Sequence, residues 1–75
     1  MATLTQTDEA TLFYLCDQKL TFRELAQVTS KAVSTLRESA AKLIANGYMT
    51  GKKSKKGYYL SRSYQYTAKG AQRAK

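Results

Sequence analysis

The chain has 75 residues, with 13 Lys and Arg against 5 Asp and Glu for a formal charge of +8, 43% hydrophobic residues, one Cys, and no His, Pro or Trp. A chain this short buries only about 60% of the surface its unfolded form exposes, which allows one modest core and little room for a deep catalytic pocket. Without His and with a single thiol there is no His/Cys zinc cluster, no Ser-His or Cys-His pair and no internal disulfide, so no enzyme, metal centre or cofactor is expected.

Residues Met1 to Asp8 have neither a basic region nor an apolar h-region, and no apolar run approaches the roughly 18 residues of a membrane span. The expected location is the cytoplasm. A first helix should start near Thr5 or Thr7, with Asp8 and Glu9 complementing its positive end. Leu12, Phe13, Leu15 and Cys16 supply its apolar face, and Asp17-Gln18-Lys19 ends it. Cys16 falls among apolar positions and reads as a small buried hydrophobe.

Thr21 and Glu24 have the T-x-x-E spacing of a capping box and open a short second helix, with Leu25, Ala26 and Val28 as inward candidates. Ser30 is placed to cap a third helix running to about Asn46. Val33, Leu36, Ala40, Leu43 and Ile44 recur there at steps of three or four, which puts them on one stripe. Lys31, Ser34, Thr35, Glu38, Ser39 and Lys42 are expected on the opposite, wet side. Gly47 suits a left-handed cap.

After Gly47 the period turns from helical to alternating. Tyr48-Met49-Thr50 reads as a strand, Gly51 to Gly57 as a loop carrying Lys52, Lys53, Ser54, Lys55 and Lys56, and Tyr58 to Thr67 as a returning strand or pair of short strands. Parity places Tyr58, Leu60, Tyr64 and Tyr66 inward and Tyr59, Ser61, Ser63 and Gln65 outward. Ala68 to Lys75 reads as one helical turn or a frayed end, giving one domain over residues 1–70 and a basic tail over 71–75.

Charge follows the same division. Residues 1–38 carry four Lys or Arg against five Asp or Glu, whereas residues 39–75 carry nine and no acid. An excess confined to one half is the footprint of a surface that meets a polyanion.

Three helices followed by a hairpin is the order of the winged helix-turn-helix, an α+β fold. Leu25-Ala26, Leu43, Gly47-Tyr48 and the closing Tyr64-Gln65-Tyr66-Thr67-Ala68-Lys69-Gly70 resemble the core of multiple-antibiotic-resistance and PadR-type repressors over residues 10 to 70. Tyr66 stands where that family usually has Leu, and Val28-Thr29-Ser30 fills a turn that customarily holds Gly. The extra dimerisation helices of those repressors have no counterpart here, so a homodimer on DNA would need another surface, such as the first helix or the tail. Fimbrial-operon regulators are similar in size and architecture only.

The resemblance implies a transcription regulator of double-stranded DNA, a repressor of phage or plasmid type by its size, associated with the nucleoid. The third helix would enter the major groove, offering Lys31, Ser34, Thr35, Arg37, Glu38, Ser39 and Lys42. The Thr35 methyl suits a thymine; Glu38 suits cytosine N4 or a local pair with Arg37 or Lys42; Arg37 suits a phosphate or a guanine. In the hairpin, or wing, Lys52, Lys53, Ser54, Lys55, Lys56, Tyr59 and Arg62 would meet the backbone, with Lys69, Arg73 and Lys75 extending the surface. Lysine is a point charge, so such contacts position without specifying.

Solvated lysines guarding a hairpin edge are the plainer reading of the same cluster. Three other readings stay open: an excisionase-like architectural accessory factor, a winged-helix module that docks an acidic protein, and a single-strand or RNA binder using the tyrosines as a stacking platform. No small-molecule ligand is implied. A left-handed-DNA reader would need a Pro-x-Trp wing, which is absent.

Overall fold

In the computed structural model, which describes residues 4–74, α1 spans Gln6–Cys16 and α2 spans Phe22–Thr29. Both helices start at capping boxes. Thr5 Oγ1 accepts from the Asp8 N–H at 3.1 Å while the Asp8 carboxylate accepts from the Thr5 N–H at 3.0 Å. Thr21 and Glu24 repeat the exchange at 3.2 and 2.9 Å. Each box satisfies two donors that a helix start leaves without an intrahelical partner.

Leu12, Leu15 and Cys16 of α1 are buried, whereas Phe13 is 39% exposed and stacks edge-on against Tyr14. The Cys16 thiol lies 3.7 Å from the Met49 sulfur. Burial pushes it up to about 11, so it stays protonated and packs as a hydrophobe. In α2 only Leu25 is fully buried, and Val28, expected inward, is 54% exposed. Phe22 and Ala26 take the places beside Leu25. Positions 22, 25 and 26 share one face of a short helix, and Val28 lies off it.

The largest local departure is at Ser30. It does not cap α3 (Val33–Ala45); it ends α2 in the left-handed conformation, with φ 59° and ψ 28°, and Ala32 starts α3 with no side-chain cap. The missing turn glycine is thus replaced by a residue that adopts its backbone geometry under strain. Ser30→Gly should stabilise the fold by about 0.5 kcal/mol, the relief of left-handed strain exceeding the extra entropy of an unfolded glycine. Urea denaturation checks this, and a loss of stability would mean the Ser30 side chain contributes something the geometry does not show.

The end of α3 is as expected. Gly47 at φ 78° lets the Tyr48 N–H reach the Leu43 carbonyl at 2.9 Å and the Gly47 N–H reach Ile44 at 3.0 Å. Leu36, Ala40 and Leu43 face the core with Leu25 and Met49.

The hairpin is paired in two sections. β1 (Met49–Thr50) and β2 (Gln65–Tyr66) are antiparallel, with Met49 opposite Tyr66, and Lys53 pairs with Tyr59 nearer the tip. Four positions separate Met49 from Lys53, but seven separate Tyr59 from Tyr66. The three extra residues form a turn in which Arg62 has φ 60°. An odd insertion exchanges the two faces of a strand. Tyr64 and Tyr66 therefore turn inward as expected, but Tyr58 and Leu60 are exposed and Tyr59 packs against Tyr64, the reverse of the expected parity.

α4 (Ala68–Ala74) is helical across residue 70, extending the helical turn expected from Ala68. Thr67 caps it, accepting from the Gly70 N–H at 3.1 Å. Arg73 reaches Glu9 of α1 at 2.6 Å, and the Lys69 ammonium donates to the Asn46 carbonyl at 2.9 Å and sits 4.5 Å over the Tyr48 ring. Among the described residues no helix is long and apolar enough to cross a membrane.

Candidate nucleic-acid interface

With Leu36, Ala40 and Leu43 turned to the core, the 100° step per residue carries Ser34, Glu38 and Ala45 to the outer face of α3. Arg37 and Ala41 fall on the flank nearest the hairpin. Ser34, Thr35, Arg37 and Glu38 are all exposed, as is Lys31 just ahead of the helix. The Arg37 guanidinium lies 5.8 Å over the Phe22 ring. The ion pairs among the described residues join Lys42 to Asp8, Arg62 to Glu24 and Arg73 to Glu9, and Glu38 is in none of them.

Ser39 is not on the wet side, and Lys42 is half-exposed but committed to Asp8. Ser39 is 6% exposed and its hydroxyl donates to one oxygen of Asp8, while the Lys42 ammonium meets the other at 2.7 Å. The start of α1 lies against this flank of α3, and a carboxylate only 5% exposed requires hydrogen-bonding partners. Sequence position marks Asp8 only as a charge complementing the start of α1, because a contact 31 or 34 residues away leaves no periodic trace.

Burial alone would raise the Asp8 pKa, but hydrogen bonds from Lys42, Ser39 and the Thr5 N–H more than offset it and hold the group at about 2. The folded pKa is below the ordinary carboxylate value near 3.8, so the folded state binds this proton less readily than the unfolded chain does. Its stabilisation is complete above about pH 4 and drains away as pH falls toward 2. Asp8→Asn should lower the melting temperature at pH 7 and flatten its fall across that window. Parallel wild-type and variant melts that keep a constant gap from pH 7 to pH 2 would contradict this.

In the hairpin Lys52, Lys53, Lys55 and Lys56 are exposed and Ser54 is half-buried. The Ser54 N–H donates to the Tyr58 carbonyl at 2.7 Å and the Gly57 N–H to the Ser54 carbonyl at 3.0 Å, closing a tight tip that carries Lys55 and Lys56. Lys53 lies 5.2 Å over the ring of Tyr59. Tyr59, expected outward, is half-buried. Arg62 also has a structural tie: it donates to the Lys19 carbonyl at 2.9 Å and pairs with Glu24 at 3.0 Å, fastening the hairpin base to the start of α2. The Glu24 carboxyl is held below its usual range by the Thr21 backbone and hydroxyl, with Arg62 contributing.

Six cations of the expected α3 and wing set remain without a carboxylate partner among the described residues, Lys31, Arg37, Lys52, Lys53, Lys55 and Lys56, and Lys69 is tied to the Asn46 carbonyl instead. Lys75 lies outside the described residues. Sequence reading missed Tyr58 and Leu60 as surface residues, since only the odd insertion in the returning arm reveals them.

No protein-family model and no curated protein sequence matches the chain. Among solved structures it is similar to the zinc-dependent MarR family transcriptional regulator AdcR in its Zn(II)-bound state, with 26% identity and a TM-score of 0.76 over 97% of this chain and 49% of that one. It is also similar to T. acidophilum IdeR, with 17% identity and a TM-score of 0.58 over 99% of this chain and 33% of that one. The chain thus spans about half the length of the first and a third of the second. Its fold is the winged helix, with α2 and α3 as the helix-turn-helix and the hairpin as the wing. Zinc dependence is a property of that regulator. Here the sequence contains no His, and among the described residues no three His, Cys, Asp or Glu side chains converge.

Proposed function

We propose that the protein is a sequence-specific regulator of transcription that binds double-stranded DNA, with α3 in the major groove and the lysine-rich wing on the phosphate backbone. One observation supports this reading: the fold is a winged helix whose wing lysines are exposed and have no carboxylate partner among the described residues. Arg37 of α3 lines a cleft with Arg62 of the wing arm, so the two elements are close enough for a single duplex to touch both.

Each side chain has a role that follows from its place. Lys52, Lys53, Lys55 and Lys56 neutralise phosphates and set position without reading sequence. Ser34 and Thr35 offer hydroxyls, and the Thr35 methyl suits thymine. Lys31 meets backbone at the start of α3, and Arg37 meets a phosphate or a guanine at the edge of the groove. Ser39, Lys42, Tyr59 and Arg62 serve the interface by holding α3 and the wing in place. No cofactor is needed, and the cytoplasm is where such a regulator would act.

Selection of bound sequences from random duplexes tests the proposal. A defined motif is expected, and Thr35→Ala should shift preference at one position by roughly fivefold, the scale of a single mismatched pair. A repeated half-site would report a homodimer on DNA. Recovery of no motif from either protein would reject base reading by α3.

A further inference from the structure

The cleft between α3 and the wing has a character that duplex binding does not use. It encloses about 510 Å³, a size typical of ligand sites, and four aromatic side chains line it: Phe22, Tyr58, Tyr59 and Tyr64. Tyr64 is buried and Tyr59 half-buried against it, but Tyr58 is 74% exposed and Leu60 46%. The core does not account for the Tyr58 ring.

Charge narrows the choice of occupant. Among the described residues, the charged side chains lining the cleft are Arg37 and Arg62, and no carboxylate lines it. Arg62 is committed to Glu24 and the Lys19 carbonyl. Arg37 has no carboxylate partner among the described residues, and its guanidinium sits over Phe22 at the cleft wall. A complementary occupant combines a flat π surface with an anion, which is the composition of a nucleotide. Bases inside a duplex present only their edges in the grooves, so a base that reaches an aromatic ring face must be unpaired.

We infer that this cleft binds an unpaired nucleotide of a single strand, its base stacked on Tyr58 and its phosphate at Arg37. An acidic peptide would satisfy the arginine, but its aliphatic or carboxylate side chains would leave the exposed Tyr58 ring without a stacking partner. This inference goes beyond duplex recognition: it shares Arg37 with the duplex reading but turns on Tyr58, which has no part in it. Basic grooves with aromatic platforms hold single strands in this way, largely independent of sequence.

The test compares a fluorescein-labelled twelve-residue oligothymidylate with a twelve-base-pair duplex, by anisotropy on the full chain at about 0.1 M salt. Tyr58→Ala should weaken oligothymidylate binding by at least about fivefold and leave duplex binding within about twofold, and Tyr58→Phe, which keeps the ring, should bind both like the wild type. Three results would overturn the inference: no binding of the oligothymidylate, equal loss on both probes, or displacement of the oligothymidylate by a twelve-residue polyglutamate as effectively as by itself. Binding of the oligothymidylate that depends on Tyr58, with no duplex binding at all, would support the inference and reject the duplex reading alone.

Discussion

Gly70→Ala is expected to destabilise the protein by about 3 kcal/mol, which for a chain of this size lowers the melting temperature by roughly 15 °C. A Cβ on Gly70 would lie 1.8 Å from the carbonyl oxygen of Tyr48 and 2.8 Å from its carbonyl carbon, so backbone must move. It has little freedom to do so. Tyr48 follows the left-handed Gly47, donates to Leu43 at the end of α3, and accepts from the Thr67 N–H at 3.3 Å. Separating α4 from this turn also strains the Arg73–Glu9 and Lys69–Asn46 ties. Thermal melting followed by circular dichroism checks the effect, and a variant that melts within about 3 °C of wild type would mean that α4 does not dock on the turn.

Replacing Lys52, Lys53, Lys55 and Lys56 together by Ala should weaken duplex binding by about a thousandfold at 0.1 M salt, provided all four meet phosphates, since each neutralised phosphate contributes about 0.9 to the slope of log K on log salt. The loss should be the same on every sequence, because a lysine on a phosphate carries no base information. Folding should be nearly untouched, as the four side chains are exposed and only Lys53 has a packing partner, the Tyr59 ring. Binding measured on two unrelated duplexes would show equal losses. A loss confined to one of them would assign base reading to the wing, and no loss would leave the lysines as solvated edge protection.

Local signals were legible and odd-numbered or long-range ones were not. Thr21 and Glu24 lie three residues apart, so their capping box and the start of α2 can be read directly, whereas the sequence leaves the start of α1 open between Thr5 and Thr7 and the Thr5–Asp8 box fixes it. Gly47 likewise announces the end of α3. Ser30 misleads because a serine is usually a helix N-cap, and only backbone geometry shows it closing α2 in the left-handed region. The parity of Tyr58, Tyr59 and Leu60 fails because alternation assumes an unbroken strand, and three residues inserted near Arg62 exchange the faces.

The candidate interface shows the same limit. The wing lysines are a composition signal and stand where the sequence puts them, on an exposed tip. Ser39, Lys42 and Arg62 have the right residue types for DNA contact, yet each is engaged across the fold with Asp8, Glu24 or the Lys19 carbonyl. Helical spacing gives a direction around an axis but not what lies there. The overall charge of +8 therefore includes cations committed to ties across the fold, such as Lys42, Arg62, Lys69 and Arg73, and six at the candidate interface with no carboxylate partner among the described residues.

Those six cations, Lys31, Arg37, Lys52, Lys53, Lys55 and Lys56, set the most direct measurement. Duplex affinity should be followed by anisotropy from about 0.05 to 0.3 M salt. If each cation releases one condensed counterion, log K should fall against log salt with a slope near about −5. A slope near zero, or no binding to duplex at the lowest salt, would contradict a DNA-binding role for this winged helix.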